Sequence, residues 1–334
     1  MQTSADFVLM SYFSPLVAAL ITILVITVIL SSRFRNRVQD IPNKRSLHSS
    51  PTPRIGGIGL MAGVLSGWAL VFSALAWWLL LPLIGLFIVS LLDDMNSLPV
   101  RQRFAAHFVA AAILVGGSGL FAGQGIVAAI MVLLLTVWMT NLFNFMDGSN
   151  GLAGGMALFG FTFYGIAALI AQNDALAMLN FTIGAAALGF LLFNFHPARI
   201  FMGDAGSIPL GFLAAAMGLW GWQRDIWAAW FPLLVFSPFI VDASVTLVKR
   251  TLRGVKITEA HREHYYQRLI QMDWGHRNVA LVWYMLALGA GGSALWVMHQ
   301  QYPWLMFVIW TGIYAMLMLM VDVNWKKFQR EEHV

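Results

Sequence analysis

Residues 125–155 read GIVAAIMVLLLTVWMTNLFNFMDGSNGLAGG, an apolar run that ends in a polar, glycine-rich segment. The apolar part is about as long as a helix needs to cross a membrane. In the polar part, Asn141, Asn144, Asp147 and Asn150 recur at every third position, so a helical end would place them roughly on one face. Because carboxamides and carboxylates are rare in membrane segments and usually functional, this pattern predicts a polar site where a transmembrane helix ends.

The composition of the whole chain indicates a membrane protein. Of its 334 residues, 59% are hydrophobic and 10% are charged, and the mean hydropathy is +0.74. A soluble domain has about 25% charged residues. The chain has no cysteine and therefore no disulfides. The net charge of +5 would suit nucleic acid, but membrane topology explains the basic residues better, and no nucleic-acid partner is predicted.

Eleven apolar segments are predicted to cross the membrane as helices, which predicts an all-α, polytopic membrane protein with one transmembrane domain over residues 1–334. With the N-terminus outside, 19 of the 20 Lys and Arg residues lie on the opposite side, and Arg224 is the exception. The positive-inside rule then predicts an external N-terminus and a cytoplasmic C-terminus. The segments are approximately 7–30, 56–74, 77–92, 104–121, 125–145, 152–171, 175–195, 207–222, 226–248, 279–299 and 303–323.

Under this topology the unusual polar motifs all fall on the cytoplasmic side, where they can converge. This distribution favours an enzyme over a transporter, whose pathway charges would be expected near the middle of the bilayer. Transport stays open as the alternative class, because Asp242 is predicted inside the ninth span, either as a functional carboxylate or paired with an internal basic side chain. The cytoplasmic loops are predicted at about 31–55, 93–103, 145–151, 196–206 and 249–278.

The acidic residues of these loops suggest a metal site. Adjacent carboxylates such as Asp93 and Asp94 repel each other unless they share a cation or a proton, and a solvated helix end is the simpler alternative. Asp204 precedes a span, where it either caps the helix or faces a ligand. Together with Asn144 and Asp147, these aspartates supply the hard oxygen ligands of a magnesium diphosphate site, with Mn²⁺ as the alternative metal.

Two basic segments are predicted to contact phosphate or sugar. In HREHYYQRL, His261 and His264 lie beside arginines that would oppose a zinc ion, so anion binding is favoured over zinc, with a solvated loop as the alternative. Residues 43–57 combine basic side chains with a Pro-Thr-Pro turn, which suits both a lipid phosphate and anchoring to anionic headgroups. The predicted substrate-binding residues of this second segment are Lys44, Arg45, His48, Thr52 and Arg54.

Five stretches, in this order, resemble the polyprenyl-phosphate N-acetylhexosamine-1-phosphate transferase family over about residues 40–275. They are DIPNKRSLHSSPTPRIGG (40–57), DDMNSLPVRQR (93–103), NLFNFMDGSNGL (141–152), FHPARIFMGDAGS (195–207) and HREHYYQRL (261–269). The resemblance implies a bacterial inner-membrane enzyme, active at the cytoplasmic face, that uses Mg²⁺ to transfer a sugar-1-phosphate from a UDP-N-acetylhexosamine to undecaprenyl phosphate and releases UMP. Membrane lipids are further partners, and a homodimer is left open.

The resemblance also implies roles for individual residues. The catalytic residues are Asp93, Asp94, Asp147, His261 and His264, and the metal ligands are Asp204, Asn144 and Asp94. Asp93 either deprotonates the acceptor phosphate or orients it. Further substrate-binding residues are Asn141, Asn150, Arg262 and Arg268, of which Asn150 would lie near the uracil.

Two departures from the family pattern bear on the substrate. The central motif reads DGSNGL where the common form is DGxDGL, so Asn150 lacks the usual charge. The last motif is not the triple-histidine form of the phospho-N-acetylmuramoyl-pentapeptide transferases, which make lipid I. It is more similar to the branch that initiates O-antigen synthesis. A simple N-acetylhexosamine is therefore expected as the sugar, and the lipid I-forming reaction is the alternative.

Overall fold

The computed structural model describes residues 10–42, 46–48, 50–256 and 261–331. These ranges form α-helices joined by short connections, with one two-stranded sheet, so the predicted all-α fold is confirmed. In chain order the helices are α1 (Ser14–Ser31), α2 (Gly56–Ala69), α3 (Trp77–Asn96), α4 (Val100–Gly117), α5 (Leu120–Phe145), α6 (Leu152–Ile170), α7 (Asp174–Asn194), α8 (Asp204–Gln223), α9 (Phe231–Val235), α10 (Ser237–Leu252), α11 (Tyr265–Gln271), α12 (Gly275–Val297) and α13 (Trp304–Glu331).

The apolar composition of the long helices makes this a multi-pass membrane protein. In the described ranges, eight helices are long and apolar enough to span a bilayer, namely α1, α3, α5, α6, α7, α8, α12 and α13. The helix α2 is apolar but shorter. Within the described residues each predicted span overlaps helical structure, while the number of crossings and their orientation remain predictions.

The ninth predicted span is not one continuous helix. The chain over 226–230 is not helical, and the helical part is divided at Phe236 into α9 and α10. Pro232 and Pro238 each lie in the first turn of one of these helices. Proline has no backbone N–H and its ring clashes with the preceding turn, so it starts a helix readily but interrupts one from within. The predicted span over 226–248 therefore consists of a non-helical segment and two helices rather than one continuous helix.

Two short strands contact the segment that precedes α8. The strands β1 (Gln39–Asp40) and β2 (Thr52–Pro53) pair in antiparallel fashion. The carbonyl oxygen of Pro53 accepts a hydrogen bond of 2.7 Å from the backbone N–H of Phe201. This contact places the first basic segment beside the FMGD stretch, 201–204.

The start of α2 fixes the FMGD stretch from another side. The backbone N–H groups of Gly56 and Gly57 donate to the carbonyl oxygens of Phe201 and Met202 at 2.9 and 2.8 Å. A Cβ atom on Gly57 would lie 2.3 Å from the backbone nitrogen of Gly206, so only glycine permits this approach. The first turn of α8 is thus set against α2, and its position determines where Asp204 lies.

Candidate active site

Asp94, near the end of α3, caps the start of α8. Its Oδ1 accepts the backbone N–H of Asp204 at 3.1 Å, and its Oδ2 accepts that of Ala205 at 2.9 Å. Arg54 supports this arrangement, because its Nη2 donates to the carbonyl oxygen of Asp94 at 2.7 Å and its Nε lies 3.9 Å from Oδ1. Asp94 is 4% exposed, so these contacts replace the water that a carboxylate needs. Asp94 therefore satisfies N–H groups that a helix N-terminus leaves without partners.

Asp204 is the first residue of α8 and does not cap it. The residue in the N-cap position is Gly203, with φ of 72°, a conformation that favours glycine. The capping alternative for Asp204 is thus not what the structure shows. Its carboxylate instead accepts a hydrogen bond of 2.7 Å from Nδ2 of Asn144, which also donates to Oγ of Ser207 at 3.2 Å.

Asp93 faces different partners from its neighbour. Its Oδ1 accepts the backbone N–H of Leu98 at 2.6 Å, in the turn between α3 and α4. Its Oδ2 lies 3.1 Å from Nε of Arg103, and Nη2 of the same arginine lies 3.5 Å from Oδ2 of Asp204. Arg103 therefore joins two carboxylates, and the repulsion expected within the aspartate pair is offset by separate partners for each member.

Asp147 lies in the loop between α5 and α6, close to the same carboxylates. Burial raises the pKa of Asp147 well above the ordinary value of an aspartate, and the negative charges of Asp204 and Asp94 act in the same direction. A hydrogen bond from the backbone N–H of Gly203 opposes the shift. A cation bound here would reduce this repulsion.

The carboxylates of Asp94, Asp147 and Asp204 border a cavity of about 290 Å³, whose lining includes neither Asp93 nor Arg103. Seven of the residues singled out in the sequence line it, namely His48, Arg54, Asp94, Asn144, Asp147, Asn150 and Asp204. Sequence reasoning missed other polar lining residues, namely Asp40, Ser149, Asn194, Tyr266, Gln267 and His276. Asn194, at the end of α7, directly precedes the stretch 195–207, whereas His276 at the start of α12 lies in no motif.

Two histidines hold the loop of the central motif. Nδ2 of Asn150 contacts Nδ1 of His196 at 3.0 Å, and Oγ of Ser149 contacts Nδ1 of His276 at 3.0 Å. Since Nε2 of His276 lies 3.0 Å from the carbonyl oxygen of Leu47, we assign its proton to Nε2 and the donated hydrogen bond to the Ser149 hydroxyl. The two imidazole rings stack with centroids 5.8 Å apart. The uracil contact of Asn150 stays a prediction.

His261 and His264 are not among the residues that line the cavity, although Tyr266 and Gln267 of the same motif are. Oδ1 and Oδ2 of Asp242 accept the backbone N–H groups of Tyr265 and Tyr266 at 2.8 and 3.1 Å, and Oδ1 lies 3.6 Å from Nδ1 of His264. Asp242 thus caps α11, and the basic side chain of Lys249 pairs instead with Asp322.

His264 is buried between the rings of Phe145 and Tyr266, at centroid distances of 6.0 and 5.9 Å. Burial, together with the electrostatic influence of His264 and Arg250, lowers the pKa of His261 to about 4. His261 is therefore neutral at physiological pH. The catalytic role of both histidines stays a prediction.

The cavity lining does not include four other predicted substrate-binding residues, namely Arg262, Arg268, Asn141 and Thr52. Arg268 forms an ion pair of 2.9 Å with Asp322 of α13, and Arg262 is exposed. Asn141 donates to the carbonyl oxygen of Val137 at 2.7 Å, and the Thr52 hydroxyl donates to that of Ser50 at 3.1 Å. Lys44 and Arg45 lie outside the described residues.

The cavity oxygens suit a metal that arrives with phosphate. Within the described ranges no three His, Asp or Glu side chains form a ready-made metal site. Magnesium proteins commonly supply only one or two carboxylates and leave the other positions to phosphate oxygens and waters. The carboxylates of Asp204 and Asp147 and the carboxamide oxygen of Asn144 match that donor set.

Comparisons with known proteins agree on one group. The family model for glycosyl transferase family 4 matches residues 76–221. A probable undecaprenyl-phosphate N-acetylglucosaminyl 1-phosphate transferase of Bacillus subtilis (strain 168) is 28% identical, over 94% of each chain. A decaprenyl-phosphate N-acetylglucosaminephosphotransferase of Mycolicibacterium smegmatis is 31% identical, over 75% of this chain and 74% of its own. A phospho-N-acetylmuramoyl-pentapeptide-transferase of Staphylococcus saprophyticus is 25% identical, over 86% of this chain and 99% of its own.

Proposed function

This chain belongs to glycosyl transferase family 4, among the polyprenyl-phosphate N-acetylhexosamine-1-phosphate transferases, and from this premise we propose the reaction that it catalyses. It transfers an N-acetylhexosamine-1-phosphate from a UDP-sugar to undecaprenyl phosphate and releases UMP. The observation that carries this proposal is the group of Asp204, Asn144 and Asp147, whose oxygens line a cavity beside apolar helices. A lipid phosphate and a water-soluble diphosphate can meet only at such a boundary.

The relatives favour a simple N-acetylhexosamine as the sugar. The two relatives named for N-acetylglucosamine are 28% and 31% identical, and the lipid I-forming relative is 25% identical. We propose that the product starts a lipid-linked O-antigen or another polysaccharide of the cell envelope. The protein would act in the bacterial inner membrane, with its cavity open to the cytoplasm.

We propose Mg²⁺ as the cofactor, with Mn²⁺ as the alternative. Asp204 and Asn144 would hold it together with Asp147, and when bound it would offset the charge of the donor diphosphate. Asp94, whose oxygens both accept backbone hydrogen bonds, positions Asp204. Arg54 and His48 line the same cavity, and we expect them to contact phosphate oxygens.

The chemical step is a displacement at phosphorus. An oxygen of the acceptor phosphate attacks the β-phosphorus of the UDP-sugar, and the bond between that phosphorus and the bridging oxygen breaks, so that UMP leaves with the electron pair. A phosphomonoester has a second pKa of about 6 and is mostly dianionic at neutral pH, so no proton needs to be removed first. Asp93 therefore serves to orient Arg103 and the acceptor rather than as an obligatory base.

The test is UMP release by the purified full-length protein with undecaprenyl phosphate, Mg²⁺ and a panel of UDP-N-acetylhexosamines. We expect UMP formation that depends on lipid and metal and is lost in Asp204→Asn. Asp225→Asn is the matched control, because Asp225 is exposed and lies at the far end of α8. If no panel sugar reacts and UDP-N-acetylmuramoyl-pentapeptide does, the sugar assignment is overturned. If neither reacts in folded protein, the transferase proposal is overturned.

A further inference from the structure

The short helix α11 forms one wall of the cavity, and it is held on three sides. Asp242 accepts the backbone N–H groups at its start, and Arg268 pairs with Asp322 of α13. The hydroxyl of Tyr266 donates to the carbonyl oxygen of Phe145 at 3.0 Å. A wall fixed in this way presents its side chains to a ligand with little loss of conformational entropy.

A backbone contact also sets the orientation of the Gln267 side chain on this wall. Its Oε1 accepts the backbone N–H of His264 at 3.2 Å, which is the glutamine half of a capping box. Because the oxygen is engaged there, the Nε2 amide group is the end directed at the loop of Asp147. A Cβ atom on Gly148 would lie 3.5 Å from Nε2.

The amide group has hydrogen-bonding capacity for a ligand. Because a primary amide carries two N–H bonds, contact with the neighbouring Tyr266 hydroxyl would occupy only one of them. Gln267 is half-buried and lines the cavity, so a second N–H group borders the space where a donor would bind. A neutral N–H donor in this position suits an oxygen acceptor such as a hydroxyl, an acetamido carbonyl or a phosphate oxygen.

We propose that Gln267 is a specificity-determining residue that donates a hydrogen bond from Nε2 to an oxygen of the nucleotide-sugar donor. This inference rests on the proposed function, because it names a contact of the same site. A site that hydrogen-bonds a substrate group discriminates strongly against substrates that lack this group. The polar atom of the protein is then left without a hydrogen-bond partner.

The decisive variant is Gln267→Glu, which is nearly isosteric. The carboxylate still accepts the N–H of His264, so the capping box of α11 is kept, but the N–H donor becomes an acceptor. Gln267→Met removes the donor without adding charge. Gln271→Glu and Gln271→Met are matched controls on the same helix, where Nε2 donates to the carbonyl oxygens of Arg262 and Gln267 outside the cavity lining.

The readout is kcat and KM for UDP-N-acetylglucosamine in UMP release, and the inhibition constant of UDP, which has the diphosphate but no sugar. We expect both Gln267 variants to lose about tenfold or more in kcat/KM while the Gln271 variants stay near wild type. Unchanged inhibition by UDP would assign the partner oxygen to the N-acetylhexosamine, and a parallel loss would assign it to the UDP part of the donor. Both results support the proposal.

Wild-type rates in both Gln267 variants would overturn the inference and leave the proposed function standing. A wild-type protein that forms no UMP from any UDP-sugar would overturn the proposed function and this inference with it. If Gln267→Glu has a lowered Tm, the inference is judged from kcat/KM of Gln267→Met, measured at equal amounts of folded protein.

Discussion

The carboxylate of Asp94 caps the helix that begins at Asp204, with Oδ1 of Asp94 3.1 Å from the Asp204 backbone nitrogen. One aspartate therefore fixes the helix end from which the other reaches the cavity. Removing either would stop catalysis for a different reason, and stability measurements can separate the two.

Asp94→Ala is expected to lower both stability and activity, because two backbone N–H groups at the start of α8 lose their acceptor. Loss of a helix cap costs about 1 to 2 kcal/mol. Asp94→Asn keeps one acceptor oxygen and should lie between wild type and alanine. The check is Tm in detergent beside UMP release, with Asp225→Asn as control, because asparagine tolerates the positive φ of 55° at this position. A normal Tm in inactive Asp94→Ala would point to direct metal binding instead.

Asn144→Asp should impair catalysis, although the side chain keeps nearly the same size. The variant replaces the Nδ2 donor, 2.7 Å from Asp204 Oδ1, with a negatively charged oxygen. Hydrogen bonds to charged groups contribute about 1.5 to 3 kcal/mol, so we expect a loss of about tenfold to a hundredfold in kcat/KM. Rates measured over a range of Mg²⁺ should show a changed metal requirement. Wild-type rates with an unchanged Mg²⁺ profile would contradict the role of Asn144.

Asp147→Asn should make the metal-free protein more stable at neutral pH and less active. The pKa of Asp147 is raised in the folded state, so its protonation stabilises the fold below the ordinary carboxyl pKa of about 4. That stabilisation is lost as pH rises through the raised pKa, where the charge is repelled by Asp204 and Asp94. The Tm gain in the variant should therefore grow from acid to neutral pH. An equal gain at every pH would rule out titration of Asp147 as its cause.

Gly148→Ala should disturb the loop of Asp147 through Tyr266. A Cβ atom at this position would lie 2.3 Å from the Tyr266 hydroxyl oxygen, and Tyr266→Phe removes that atom. We expect Gly148→Ala to lower activity about tenfold and the double variant to recover part of the loss, because contacting residues are not additive. Gly85→Ala, which meets no atom within 4 Å, is the control. Strict additivity in the cycle would refute this contact.

Arg268→Ala should lower stability rather than donor binding. Its guanidinium is buried and paired with Asp322, so the variant leaves that carboxylate with a weaker set of partners. Asp322→Ala should give a similar loss of Tm, and the double variant should lose less than the sum. KM for the UDP-sugar should stay near wild type in the folded fraction. A raised KM with an unchanged Tm would instead support the predicted substrate contact of Arg268.

Local patterns in the sequence predicted the helices and the carboxylates of the site. Apolar runs define the spans, and Asn144 and Asp147 belong to one motif whose spacing is short enough to see. Contacts between residues that are far apart in the sequence could not be predicted from local patterns. Ser149 and His276 are 127 positions apart, and Lys249 and Asp322 are 73 apart, so only the packed helices reveal these contacts.

At the break at Phe236, by contrast, the signal was present in the sequence. Pro232 and Pro238 were visible in the sequence, but the apolar run continues through both, and hydropathy alone joined the two halves. The backbone requirement of proline decided the structure there.

Arg103 carries a further consequence for how the chain assembles. Its guanidinium is protonated at every physiological pH and lies between Asp93 and Asp204, at 3.1 and 3.5 Å. The chain thus brings its own counter-ion to Asp93 and Asp204. Packing of α3 against α8 is therefore expected not to require the divalent cation that we propose for catalysis.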